Sequence, residues 1–73
     1  MWHWNKQVAQ TFGSTHTMNA WVNITGLGWL KIEPTSADGV TNVFMMMNAA
    51  KANNRTVHVF VNASNRVEIG YLN

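Results

Sequence analysis

Cysteine is absent from the 73-residue chain, which excludes a disulfide framework and any thiolate metal site. Proline occurs once, at Pro34. No apolar run approaches the roughly 18 residues that a membrane-spanning helix needs. Charge is also scarce: 11% of the residues are charged, under half of the roughly 25% usual in soluble domains. Five basic and three acidic residues are scattered along the chain, so the formal net charge of +2 forms no basic stripe. Phosphate neutralisation therefore offers little affinity for nucleic acid. The opening "MWHWNKQ" has no basic segment followed by an apolar stretch, so no signal peptide is read. The expected compartment is the cytoplasm, or outside the cell if the chain starts after a removed leader. Missing cysteine fits a reducing compartment without demanding one.

Apolar residues make up an ordinary 47%, and the missing charge is replaced by neutral polar groups, chiefly Asn and Thr. Residues 1–73 make a single domain with no room for a second core. A chain of this size buries only roughly 60% of its extended surface. Small domains compensate with disulfides, metals or partners, and without cysteine partners lead. Low charge points the same way, because charge is depleted at the centre of protein interfaces.

Period-two patterns mark five strands. "WHWNKQVAQTF" sets Trp2, Trp4 and Lys6 against His3, Asn5 and Gln7, and "GSTHT" reads as a loop. "MNAWVNIT" sets Met18, Ala20, Val22 and Ile24 against Asn19, Trp21, Asn23 and Thr25. "GLG" turns the chain, since glycine tolerates positive φ. "WLKIE" points Leu30 and Ile32 inward and Trp29, Lys31 and Glu33 outward, and Pro34 ends it. "RTVHVFVN" sets Val57, Val59 and Val61 against His58 and Phe60. "NASN" turns, and "RVEIGYL" sets Val67, Ile69 and Tyr71 against Glu68, Gly70 and Leu72.

One helix is expected over Ala37 to Ala52, with Ser36 as N-cap, Asp38 in the first turn and Asn53-Asn54 closing the C-terminus. Val40, Val43, Phe44, Met47 and Ala50 form its packing stripe at i, i+3, i+4, i+7 spacing. Its other side, with Asn42, Met45, Met46, Ala49 and Ala52, carries no charge before Lys51. Two readings stand. Met47 fills the core beside two tolerated surface methionines, or the outer face is covered by another copy of the chain.

The element order is thus β-β-β-α-β-β, a mainly β chain with one α-helix, which is the order of a five-stranded OB-fold-like barrel. A helix across one end of an open antiparallel sheet is the alternative. From "GWLKIEP" onward, through the helix, "NNRTVHVFVN" and "RVEIGYL", the chain resembles the B subunits of bacterial toxins that pair one A chain with a ring of five B chains. The resemblance covers roughly residues 27–73 and rests on pattern, without a specific motif. It implies a homopentamer with helices lining the ring, and it allows for an unidentified second chain. The family's usual disulfide is missing here.

Catalysis is not expected. Only Glu33, Asp38 and Glu68 are acidic; Asp38 suits the helix start, and no carboxylate pair can be argued. His3, His16 and His58 lack metal-ligand spacing, so neither a metal nor a cofactor is expected. "GLG" precedes a strand rather than a helix, unlike a phosphate-binding loop. "NIT", "NRT" and "NAS" match the glycosylation acceptor pattern at the level chance allows in so Asn-rich a chain.

Trp2, Trp4, Trp21 and Trp29 are too many for so small a core. They either stack on sugars or bases, or fill subunit interfaces. Amides beside aromatics suit hydroxyl-rich ligands. The expectation is a non-catalytic, homo-oligomeric glycan-binding module with Trp21, Trp29, His58 and Arg66 as ligand contacts. Asn42, Met45, Met46, Ala49 and Ala52 are its expected oligomer contacts. The alternatives are a single-stranded nucleic-acid binder on the same fold and a purely structural ring.

Overall fold

A computed structural model describes all 73 residues, Met1–Asn73. The expected elements follow in the expected order: β1 (Trp2–Gly13), β2 (Ala20–Ile24), β3 (Gly28–Ile32), α1 (Ala37–Ala52), β4 (Thr56–Val61) and β5 (Arg66–Leu72). The strands close into a barrel in the order β1-β2-β3-β5-β4, the OB-fold-like topology, with α1 between β3 and β4. Closure gives every strand two neighbours, although β3 and β5 meet over only two residue pairs. Four of the strand pairs are antiparallel. β3 and β5 run parallel, joined at Lys31↔Arg66 and Ile32↔Val67.

The barrel is filled by the inward residues of the period-two pattern. Val8, Val22, Ile24, Leu30, Val57, Val59, Val61 and Val67 form one buried cluster with Met47 and Ala50 of α1. Ala20, Ile32 and Val40 form a second, with Met18, Val43 and Phe44 against it. Each fully buried aliphatic side chain contributes roughly 1.5–3 kcal/mol. No polar side chain is buried.

The helix begins as its sequence predicts: Ser36 Oγ accepts from the Gly39 N–H at 3.0 Å, and Asp38 occupies the first turn. At its other end Asn53 Nδ2 donates to the Ala49 carbonyl at 2.8 Å, and Asn54 turns the chain at φ 52°. The three methionines separate. Met47 is wholly buried; Met46 is half-buried, its sulfur beside Gly70 of β5; Met45 is 65% exposed.

Three bulges change faces that simple alternation assigns. Between His3 and Lys6 the β1–β4 register slips, with Asn5 at φ 54°, so Lys6 falls opposite Val57 instead of sharing a face with Trp2 and Trp4. A second slip between Val8 and Gln10 places Phe12 opposite Trp21. A third, where Val61 pairs Val67 and Phe60 pairs Ile69, accommodates Glu68 as the extra residue. Val67 is therefore buried while Ile69 and Tyr71 are exposed. Each extra residue bends its strand and adds twist, which helps a short sheet curl shut.

Candidate aromatic groove on the outer face of the barrel

The outer face of β2 and β3 is where their odd-numbered residues point. Trp21 lies opposite Lys31 and Asn23 opposite Trp29, while on the other flank Phe12 of β1 lies opposite Trp21. Phe12, Trp21 and Trp29 line an open hollow of about 320 Å³. Trp21 and Trp29 also wall an adjoining hollow of about 370 Å³, whose other side is Lys31, Ser64, Asn65 and Arg66. The two share both indoles and form one groove with an apolar end and a polar end.

Each end contains side chains held in place by their neighbours. Trp21 Nε1 donates to Asn19 Oδ1 at 3.0 Å, and Asn19 Nδ2 donates to Ser14 Oγ at 3.1 Å, so the β1–β2 loop fixes the ring. At the polar end Asn62 organises the β4–β5 turn. Its Oδ1 accepts from the N–H groups of Ser64 and Arg66, at 3.0 and 3.1 Å. Its Nδ2 donates to Glu33 Oε2. Glu33 Oε1 lies 3.5 Å from Arg66 Nη1, so one carboxylate holds both the turn and the guanidinium. Asn65 sits at φ 61°, a conformation asparagine accepts more readily than most residues. Trp29 is the open platform, 45% exposed. Along its strand pair Asn23 Nδ2 donates to Gln10 Oε1, leaving an amide row beside the indoles.

Of the four ligand contacts expected from the sequence, the groove gathers Trp21, Trp29 and Arg66. His58 lies elsewhere: its ring packs edge-on against Trp4 with centroids 4.8 Å apart, and its Nδ1 accepts from the Asn5 N–H. The groove adds Phe12, Lys31, Ser64 and Asn65. Phe12 is missed by simple alternation because a bulge brings it beside Trp21. Lys31 could have been found, since it is the outward residue between Trp29 and Glu33. Among the helix positions expected at an oligomer contact, Asn42, Met45 and Ala52 are exposed, whereas Met46 and Ala49 are half-buried within the chain itself.

No three His, Asp or Glu side chains come together as a metal-holding group. No helix is long and apolar enough to cross a membrane. No protein-family model, curated protein or solved structure matches the chain.

Proposed function

We propose that the chain is a non-catalytic binding module that takes a glycan in the groove between Phe12 and Arg66. The observation that carries this reading is the pair of indoles shared by both ends of the groove, one anchored by Asn19 and one open to solvent. An indole offers an apolar face to the C–H surface of a sugar ring, and the amides and hydroxyl around it donate and accept as sugar hydroxyls require. This face of a small Greek-key barrel, together with its β4–β5 loop, is a place where such barrels bind oligosaccharides and oligonucleotides. One of the two cations at the polar end, Arg66, is already engaged by Glu33, which favours a ligand of low charge. The site is shallow, so a single contact is weak, and several linked copies would supply avidity.

The three carboxylates support a non-catalytic role. Glu33 is occupied in holding Asn62 and Arg66, Asp38 stands in the first helical turn, and Glu68 sits at the bulge of β5.

A second reading has one specific observation behind it: Lys31 and Arg66 are register partners beside two indoles. That arrangement also suits single-stranded nucleic acid, whose bases stack on aromatic rings while cations follow the backbone. Salt separates the two. A glycan array followed by calorimetry at low and high ionic strength should give a hit whose affinity barely changes. Binding only to oligonucleotides, and falling steeply with salt, would replace the glycan reading with the nucleic-acid one. Silence in both assays would leave neither.

A further inference from the structure

The barrel has a second aromatic face, which the groove does not use. On the outer side of β1, β4 and β5, Trp2 lies opposite Phe60 and Phe60 opposite Ile69. The next row sets His58 opposite Tyr71, with Trp4 packed edge-on against His58. Trp2 stacks on Trp4 at 5.2 Å and on Tyr71 at 5.7 Å, and meets Phe60 edge-on at 5.5 Å. The result is a raft of five aromatic residues and one aliphatic over three adjacent strands.

Half of the raft's residues are open to solvent. Trp4 and Tyr71 are each 56% exposed and Ile69 is 43% exposed, while Trp2, His58 and Phe60 are half-buried. At about 150–250 Å² per aromatic side chain, the six leave on the order of 500 Å² uncovered. That is near the upper end of the roughly 300–600 Å² of the largest patch on a typical monomer, and such patches are often functional. It also approaches the roughly 600 Å² per partner at the low end of specific protein interfaces.

One bulge keeps a base out of the raft, and another brings apolar residues onto it. The slip at Asn5 turns Lys6 off this face, and the slip at Glu68 brings Ile69 and Tyr71 onto it, with Glu68 itself exposed next to Ile69. None of the six carries a carboxylate, an ammonium or a guanidinium. The six themselves thus offer no acidic side chain, lysine or arginine to select a charged partner. None of the hollows on the molecule is lined by these six residues, so the raft offers no small molecule an enclosure. An aromatic surface without such charged groups is complementary to another of the same kind, and an identical copy supplies one by two-fold symmetry.

We propose that this raft is an isologous homodimer interface, with Trp4, Ile69 and Tyr71 covered by the same residues of a second copy. The α1 face is the weaker candidate, since Met45 is its one large exposed apolar side chain. An interface of this area stands at the small end of specific ones, so the test runs to high protein concentration. The proposed groove, from Phe12 to Arg66, shares no residue with this surface, so a dimer carries two grooves.

Sedimentation equilibrium of the full chain, from low micromolar to near-millimolar concentration, tests this. The apparent mass should rise towards twice that of the protomer. Tyr71→Lys and Ile69→Lys should each hold the mass at one protomer, with circular dichroism unchanged. The Met45→Glu/Ala49→Glu variant should dimerise as the native chain does. Should the lysine variants fail to fold, dilution of the native chain followed by NMR replaces them: indole signals of Trp2 and Trp4 should shift with concentration while α1 amides stay fixed. A native chain that remains monomeric throughout would overturn the proposal. So would a mass well above two protomers, or concentration-dependent shifts confined to α1.

Discussion

The backbone N–H of Asn5 donates to Nδ1 of His58 across the β1–β4 pair at 3.0 Å, and it can do so because Asn5 stands at φ 54°. A bulge in β1 is thereby tied to a ring of the aromatic raft. Asn5 also accepts from Asn73 Nδ2 at 3.2 Å, so the same residue fastens the C-terminus. Asparagine tolerates this region of backbone space, whereas a β-branched residue does not. Asn5→Val should therefore cost about 1–3 kcal/mol. Asn5→Gly should lie close to the native stability, because relief of strain offsets the lost side-chain bond. Urea midpoints of the two variants check the ordering; equal losses would mean that the bulge has no backbone requirement at residue 5.

How much of this was legible in the sequence follows from the same bulges. Alternation finds β2, β3 and β4 and their buried residues, because over their lengths no extra residue breaks the phase. It finds α1 as well, since Val40, Met47 and Ala50 stand at helical spacing and Ser36 and Asp38 mark the start. It cannot find Asn5, the slip before Gln10, or Glu68, because an inserted residue leaves no trace in composition. For that reason the placement of Lys6 and the outward turn of Ile69 and Tyr71 needed coordinates. Trp21 and Trp29 could be named from strand faces alone. Ser64 and Asn65 could not be joined to them, because the parallel pairing of β3 with β5 brings together residues more than thirty positions apart.

Two glycines in the barrel wall stand where α1 comes close. A Cβ built on Gly13 would lie 3.0 Å from the Phe44 ring, and one built on Gly70 would lie 3.1 Å from Met47 Cε and 3.2 Å from Met46 Sδ. A phenyl ring moves as a unit, whereas a thioether can turn its far end. Gly13→Ala should cost about 1–3 kcal/mol through overpacking. Gly70→Ala should cost visibly less, since the thioethers give way; in both variants reduced freedom of the unfolded chain returns about 0.4–1 kcal/mol. Thermal melts of the pair give the comparison, and the reverse order would show Phe44 to be the more adaptable neighbour.

The methionine run offers a graded series on one helix. Met47 fills the barrel end at 0% exposure, Met46 leans on Gly70, and Met45 faces out. Met47→Ala should lose about 2–5 kcal/mol. Against a total stability of about 5 kcal/mol for so small a domain, that loss leaves a chain largely unfolded at room temperature. Met45→Ala should change stability by no more than about 0.5 kcal/mol. Chemical denaturation monitored by tryptophan fluorescence measures both. A large loss at Met45 would reveal cover on that face from another copy.

Trp21 and Trp29 divide the work of the groove, and their variants should separate binding from folding. Trp29 is half open on a strand whose inward residues are Leu30 and Ile32, so Trp29→Ala removes a platform with little disturbance beneath it. Its melting temperature should stay near the native value, while affinity for whatever glycan the array finds should fall at least about fivefold, the low end for a lost stacking contact. Trp21 is more deeply set and carries the Asn19 bond, so Trp21→Ala should lower both affinity and stability. Asn19→Ala is the finer probe. It leaves both indoles in place but releases Trp21 Nε1 and the Ser14 partner, so the ring must be ordered by the ligand instead of by the loop. Preorganisation of this kind shows in affinity through the cost of immobilising a side chain, about 0.5–1.5 kcal/mol. Calorimetry should therefore report a severalfold weaker complex with a less favourable entropy for Asn19→Ala. Unchanged affinity in both Asn19→Ala and Trp29→Ala would place the ligand somewhere other than this groove.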